Sequence, residues 1–197
     1  MFLSSRRRHT RCRDVSWARR CVEETNPMFC GKTEELIRRL KRAQIAKMKT
    51  AIFKPQIDNR YSEEHIVSHN HMKMESYLIS DAAEILEKAD GAKVVGIDEA
   101  QFFDNNLIAV CQELSANDKR VVVAGLDKDY LTRPFGPMPE IMCAADYLDK
   151  LQAICVVCGE PAGFTQRISG DSEQVVIGET DKYEARCRKC YQHPEKL

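Results

Sequence analysis

A chain of 197 residues is long enough for one full domain and a small appendage, and 43% hydrophobic with 30% charged content is ordinary for a globular fold with one main core. No run approaches the roughly 20 apolar residues that a bilayer crossing needs, so neither a membrane helix nor a secretory core is expected and the chain reads as soluble. Lys plus Arg and Asp plus Glu stand at 30 each, so the net charge gives no reason to expect nucleic acid or a membrane as partner.

Residues 1–20 carry seven arginines against one acid, with Ser4, Ser5 and Ser16 interspersed and no hydrophobic periodicity. Disorder is expected over 1–25. The start MFLSSRRRHTRCRD resembles the conceptual translation of a sequencing adapter fused to an open reading frame. An organellar transit peptide, a nucleic-acid-binding arm and a solvated natural tail are the other readings of it.

After Gly31 the pattern alternates. Leu36, Ile37, Leu40, Ala43 and Ile45 recur at helical spacing, which predicts a helix over about 33–49. Residues 50–53 form the first clear strand, 81–89 and 105–117 read as helices, and 93–97 and 120–124 are continuous β-branched runs typical of parallel strands covered on both faces. The expectation is an α/β fold, a parallel sheet with helices on both faces. From Cys155 onward short strands and turn residues take over, which places a boundary near residue 151. The divisions are 1–25 as an atypical segment, 26–150 as a phosphate-binding domain and 151–197 as a small metal-binding domain.

Residues 26–33, NPMFCGKT, match the second half of the pattern G-x-x-x-x-G-K-S/T and open the first predicted helix. Gly31 lets backbone amides approach a phosphate, Lys32 offsets its charge, and the Thr33 hydroxyl suits magnesium at a helix N-terminus. Two departures stand out. Asn26 replaces the first glycine, and the preceding stretch carries Arg19, Arg20, Glu23 and Glu24 where a buried strand should run. A charged strand at the centre of a sheet is expected to suffer large desolvation costs, which puts phosphate binding by this chain in question.

The stretch KVVGIDEAQFF (93–103) delivers two adjacent carboxylates at the end of a buried strand, where open α/β sheets bind ligands. Asp98 suits a magnesium-linked role and Glu99 a general base acting on a substrate hydroxyl. A pair of solvated acids ending a strand is the bland reading. The same four letters, DEAQ, also occur in helicase-type motors, but those need two nucleotide-fold domains and this chain has room for one.

Nine cysteines are many, yet Cys155 with Cys158 and Cys187 with Cys190 form two Cys-x-x-Cys pairs, a spacing that suits a metal ion better than disulfides and fits a reducing cytosol. Together they can supply a closed, tetrahedral, structural zinc site. The 28 residues between the pairs exceed ordinary zinc-ribbon spacing, which suggests a loop with work of its own. His69 and His71 read as polar loop residues rather than ligands.

The blocks MFCGKTEELIRRLKRAQIAK, FKPQIDNRYSEE, VVGIDEAQFFD, VVVAGLDKDYLTRPFG, KLQAICVVCGEPAGFTQR and DKYEARCRKCY resemble, in order, those of the zinc-containing thymidine kinase family over about residues 27–191. The resemblance implies transfer of the γ-phosphate of ATP to the 5′-hydroxyl of deoxythymidine, with magnesium, in a cytoplasmic homotetramer controlled by the triphosphate end product. It implies ATP contacts at Asn26, Pro27, Met28, Phe29, Cys30, Gly31, Lys32 and Thr33, at Asp58, Asn59 and Arg60, and at Asp98, Ala100 and Gln101 around the base Glu99. Phe102, Tyr130, Gln174, Val175, Val176, Ile177, Gly178 and Tyr183 would contact the nucleoside, most of them from a lasso between the cysteine pairs. Tyr130 stands where the family usually has phenylalanine. The alternative is an impaired member that keeps zinc and nucleoside but cannot hold ATP.

Overall fold

The computed structural model describes residues 22–25, 28–56, 65–67, 73–168 and 182–193. Its elements run β1 (Val22–Thr25), α1 (Lys32–Ile45), β2 (Thr50–Pro55), β3 (His65–Val67), β4 (Lys73–Glu75), β5 (Tyr77–Ile79) and α2 (Glu84–Lys88). There follow β6 (Val94–Ile97), α3 (Asn106–Ala116), β7 (Arg120–Gly125), α4 (Met138–Ala144) and β8 (Tyr147–Lys150). The short strands β9 (Ala153–Ile154), β10 (Pro161–Ala162), β11 (Phe164–Arg167) and β12 (Tyr183–Arg186) complete the order. No described helix is long and apolar enough to cross a membrane.

Six strands form one sheet in the order β5-β2-β6-β7-β1-β8, and every pairing is parallel. Alternation along each strand divides its side chains between two faces. Val95, Ile97, Val121 and Val123 join Phe53, Leu107, Val110, Leu114 and Met138 in one core, beneath α2, α3 and α4. Val94, Val122, Ala124 and Ile52 join Leu36, Ile37 and Leu40 in the other, beneath α1. The expected architecture, a parallel sheet covered on both sides, is therefore what forms.

Helix α1 forms because good helix formers carry the apolar stripe Leu36, Ile37, Leu40 and Ala43, all buried, with Glu34 and Glu35 in the first turn where the helix dipole favours acids. It ends at Ile45, short of the expected Lys49, because Lys47 takes a left-handed conformation at φ 59° and turns the chain into β2. Ile45, read as part of the apolar stripe, is 81% exposed: two residues beyond the buried Ala43, it points to the opposite side of the helix. Helix α2 is likewise shorter than its predicted span, running only from Glu84 to Lys88.

Residues 22–25, at the end of the segment expected to be disordered, form a strand instead. Strand β1 pairs on both sides, Val22 to Thr25 lying against Val122 to Gly125 of β7 and against Tyr147 to Lys150 of β8. The strand lies one place from an open edge, and all four residues of the edge strand β8 are exposed. The desolvation argument applies to a sheet centre, and here the centre is taken by β6 and β7, where Val94, Val95, Gly96 and Ile97 are all buried.

At Gly96 the sheet and α1 come too close for a larger residue. An added Cβ would sit 2.7 Å from a terminal methyl of Leu40, so Leu40 fills the space that the glycine leaves. Leu40 is wholly buried. Replacing it by alanine is expected to cost about 2–5 kcal/mol, from lost transfer energy and the cavity left behind. Urea denaturation measures this directly, and an unchanged midpoint would mean that α1 is not anchored there.

Candidate active site

The loop between β1 and α1 is shaped by two left-handed residues, Phe29 at φ 68° and Gly31 at φ 84°. Glycine adopts that conformation without penalty, and an alternation of this sort turns backbone N–H groups toward one concavity, as anion-binding loops require. Gly31 caps α1 and its carbonyl accepts the Glu35 N–H at 3.0 Å. Lys32 opens the helix with its side chain buried, its ammonium 3.7 Å from the Cys30 sulfur. From the other side, the Met28 N–H donates to the Thr165 hydroxyl of β11 at 3.2 Å. The loop is thus held between the sheet and the cysteine-bearing segment.

Asp98 follows the last residue of β6 on the face that α1 covers, and the Thr33 hydroxyl donates to it at 3.2 Å. Its carboxylate is 5% exposed, and this burial, reinforced by the neighbouring Glu99 carboxylate, pushes its pKa up to about 7. The Glu99 amide, the Thr33 hydroxyl and the Lys32 ammonium oppose the shift. A buried carboxylate beside a hydroxyl, with its charge only partly offset, is a donor set that suits a hard divalent cation.

Glu99 leaves the strand altogether. Its φ of 52° and ψ of 39° are left-handed, a conformation that costs a non-glycine residue roughly 1–3 kcal/mol, and they start a single 3-10 turn over Ala100–Phe102. The two acids therefore diverge through a sharp turn rather than through the pleat. Glu99 is partly exposed, and the Gln101 side-chain amide donates to its carboxylate at 2.6 Å. Ala100 is wholly buried in the core, and Phe102 sits edge-on to Phe135 with ring centres 5.4 Å apart.

The four predicted metal ligands come together. The sulfurs of Cys155, Cys158, Cys187 and Cys190 all lie within 4.8 Å of one another, with Cys158 and Cys187 at 3.6 Å. Four thiolates about 2.3 Å from a tetrahedral ion would stand about 3.8 Å apart, so the geometry fits. Each pair sits on a tight turn: the Gly159 N–H donates to the Cys155 carbonyl at 2.9 Å and the Cys190 N–H to the Cys187 carbonyl at 3.1 Å. Ala153, Ala162 and Ala185, small enough to let β9, β10 and β12 approach, pack around the sulfurs, and Cys30 of the β1–α1 loop packs against the same cluster.

Burial alone would raise the Cys155 thiol, but the backbone N–H groups of Cys187, Val157 and Cys158 outweigh it and bring the group down to about 6. Cys190 goes the other way, pushed up to about 12 by the sulfurs of Cys158 and Cys187. A cation held among the four sulfurs would favour the thiolate at each of them.

Tyr130 and Tyr183, expected around a nucleoside, are brought to one place by a residue that the sequence did not single out. Arg167, nine-tenths buried at the end of β11, lays its guanidinium 3.6 Å from the Tyr130 ring centre and donates to the Tyr183 hydroxyl at 2.7 Å. The Tyr191 hydroxyl adds a 2.6 Å bond to the Tyr130 carbonyl. Thr165, Gln166 and Arg167 are all buried, and three polar residues in succession on a short strand were the available signal. Asn26, Pro27, Asp58, Asn59, Arg60, Gln174, Val175, Val176, Ile177 and Gly178 lie outside the described residues, as do His69, His71 and residues 1–21.

The sequence model of the thymidine kinase family matches residues 24–191. The thymidine kinase of Rhodothermus sp. (strain ITI 518) is 55% identical over 167 residues, covering 85% of this chain and 78% of the relative. Those of Bacteroides thetaiotaomicron and Bacteroides fragilis are each 53% identical, over 164 and 165 residues, covering 83% and 84% of this chain and 82% and 83% of the relatives. With a β1–α1 loop turned by two left-handed residues, paired acids at a strand tip and four clustered cysteines in the family's order, the chain belongs to the thymidine kinase family.

Proposed function

We propose that this chain transfers the γ-phosphate of ATP to the 5′-hydroxyl of deoxythymidine, a step in salvage of DNA precursors. The observation that carries the reading is the meeting of Lys32, Thr33, Asp98 and Glu99 at the C-terminal ends of β1 and β6, beside a loop with the backbone shape that phosphates need. In this reading Lys32 offsets the phosphate charge while backbone amides of residues 28–33 orient it. Thr33 and Asp98 would hold magnesium, which neutralises charge on the transferring group. Glu99 accepts the proton of the attacking hydroxyl. Arg60, with Asp58 and Asn59, is assigned to the nucleotide by family resemblance.

The four cysteines would hold zinc as a structural ion that ties both ends of the 159–186 segment together. Fixing those ends lowers the entropy lost when the segment closes on a ligand. Gln174, Val175, Val176, Ile177 and Gly178 are proposed to contact the nucleoside from that segment, with Phe102, Tyr130 and Tyr183 completing the pocket. We assign 26–150 to the kinase domain and 151–197 to the zinc domain, and propose a cytoplasmic homotetramer without nucleic-acid or membrane partners. The alternative of an ATP-blind member rested on Asn26 and the charged first strand. It is the weaker reading, since β1 pairs on both sides and Gly31 caps α1 in the conformation a phosphate loop uses.

Glu99→Gln is expected to lower kcat by about 10²- to 10⁴-fold, with KM for both substrates little changed. A variant as fast as the parent would remove Glu99 from the mechanism. Purified protein should hold one zinc per chain by elemental analysis, and Cys187→Ser should lose it together with thermal stability. Equal metal content in the two proteins would dismiss the four-sulfur site.

A further inference from the structure

We infer that Gln101 is a positioning residue for the base Glu99 rather than a contact to ATP; the inference rests on the reading of Glu99 given above. Gln101 is 2% exposed, so its side chain faces protein rather than a ligand. Its amide spans two elements. The carbonyl oxygen accepts the Leu126 N–H at 2.9 Å, just past the end of β7, and the nitrogen donates to the Glu99 carboxylate at 2.6 Å. Which end of the amide points which way is fixed by chemistry, because a backbone N–H can only donate and an ionised carboxylate can only accept.

The protein makes room for this side chain with two glycines. A Cβ on Gly136 would lie 2.2 Å from the Gln101 backbone oxygen, and one on Gly125 would lie 3.0 Å from its amide oxygen and 2.6 Å from the Met138 sulfur. Any larger residue at 136 would have to displace the backbone of Gln101 itself. The cradle has a reason in Glu99. Glu99 stands left-handed and partly exposed at the head of the 3-10 turn, and within that turn it is the Gln101 side chain that reaches its carboxylate. Among the described residues, the side-chain hydrogen bond to the Glu99 carboxylate comes from Gln101. That bond converts an exposed, freely rotating carboxylate into one held at a defined point relative to β7. A base displaced by about 1 Å loses up to 10²-fold in rate.

The reading predicts a specific pattern in a double-mutant cycle. Gln101→Met, similar in length but without the amide, should lower kcat roughly 10- to 100-fold while KM for ATP and for thymidine stays within about twofold. In a Glu99→Gln background the same change should lower kcat less than about twofold further, since no carboxylate remains to be held. Equal losses in both backgrounds would mean a purely structural role. A raised KM for ATP with kcat unchanged would make Gln101 a nucleotide contact. Either result overturns the inference, as does an unaltered kcat. If Gln101→Met does not fold, Gln101→Asn decides instead: it keeps the amide but is one methylene too short to span Leu126 and Glu99, so the same kcat loss with unchanged KM is expected. A Glu99→Gln protein with parental activity would instead sink the assignment of the base, a separable outcome.

Discussion

The parallel pairing of β6 between β2 and β7 is the constraint on which the site depends. An apolar strand buried on both faces can expose charge only where it ends, and β6 ends at Ile97 with Asp98 and Glu99 immediately following. Asp98 stays on the face covered by α1 and meets Thr33 at that helix's N-terminus, where the dipole favours negative charge. Glu99 turns away through a left-handed backbone. One strand end thus delivers two carboxylates into two environments, one desolvated and beside a cationic loop, the other reaching outward.

A second coupling joins this strand end to the cysteine cluster. The β1–α1 loop touches β11 through Met28 and Thr165, and Cys30 packs against the cluster that the four thiols share. The segment 126–135 after β7 is bound to the same unit by the stacking of Arg167 on Tyr130 and by the Tyr191 hydroxyl. The four-cysteine unit is therefore not a remote appendage. It braces the loops that would hold the phosphates and the nucleoside, and an ion that fixes its two turns also fixes their neighbours.

The sheet, α1 and the four sulfurs were legible because each rests on a local rule: β-branched runs for buried strands, a 3.6-residue stripe for α1, Cys-x-x-Cys spacing for a shared ion. The placement of β1 was not legible. Its charge argued against a central strand, and only the strand order reveals that it sits one place from an edge formed by β8, all of whose residues are exposed. Strands β5, β9 and β10 are two or three residues long, too short for periodicity to register. Within the site, Glu99 and Asp98 stood out as adjacent acids, while the function of Gln101 depends on Leu126, Gly125 and Gly136, residues up to 35 positions away that only the fold brings near. Arg167 was hidden for the same reason, its partners Tyr130 and Tyr183 lying on different elements.

The central claim is that this loop, with asparagine at its first conserved-pattern position, still places ATP in line with a hydroxyl near Glu99. Incubating the purified full chain with γ-labelled ATP, magnesium and thymidine tests it most directly. The account predicts labelled thymidine 5′-monophosphate at a rate that saturates in both substrates. Thymidine binding seen calorimetrically, with no label transferred and no ATP bound at millimolar concentration, would contradict it.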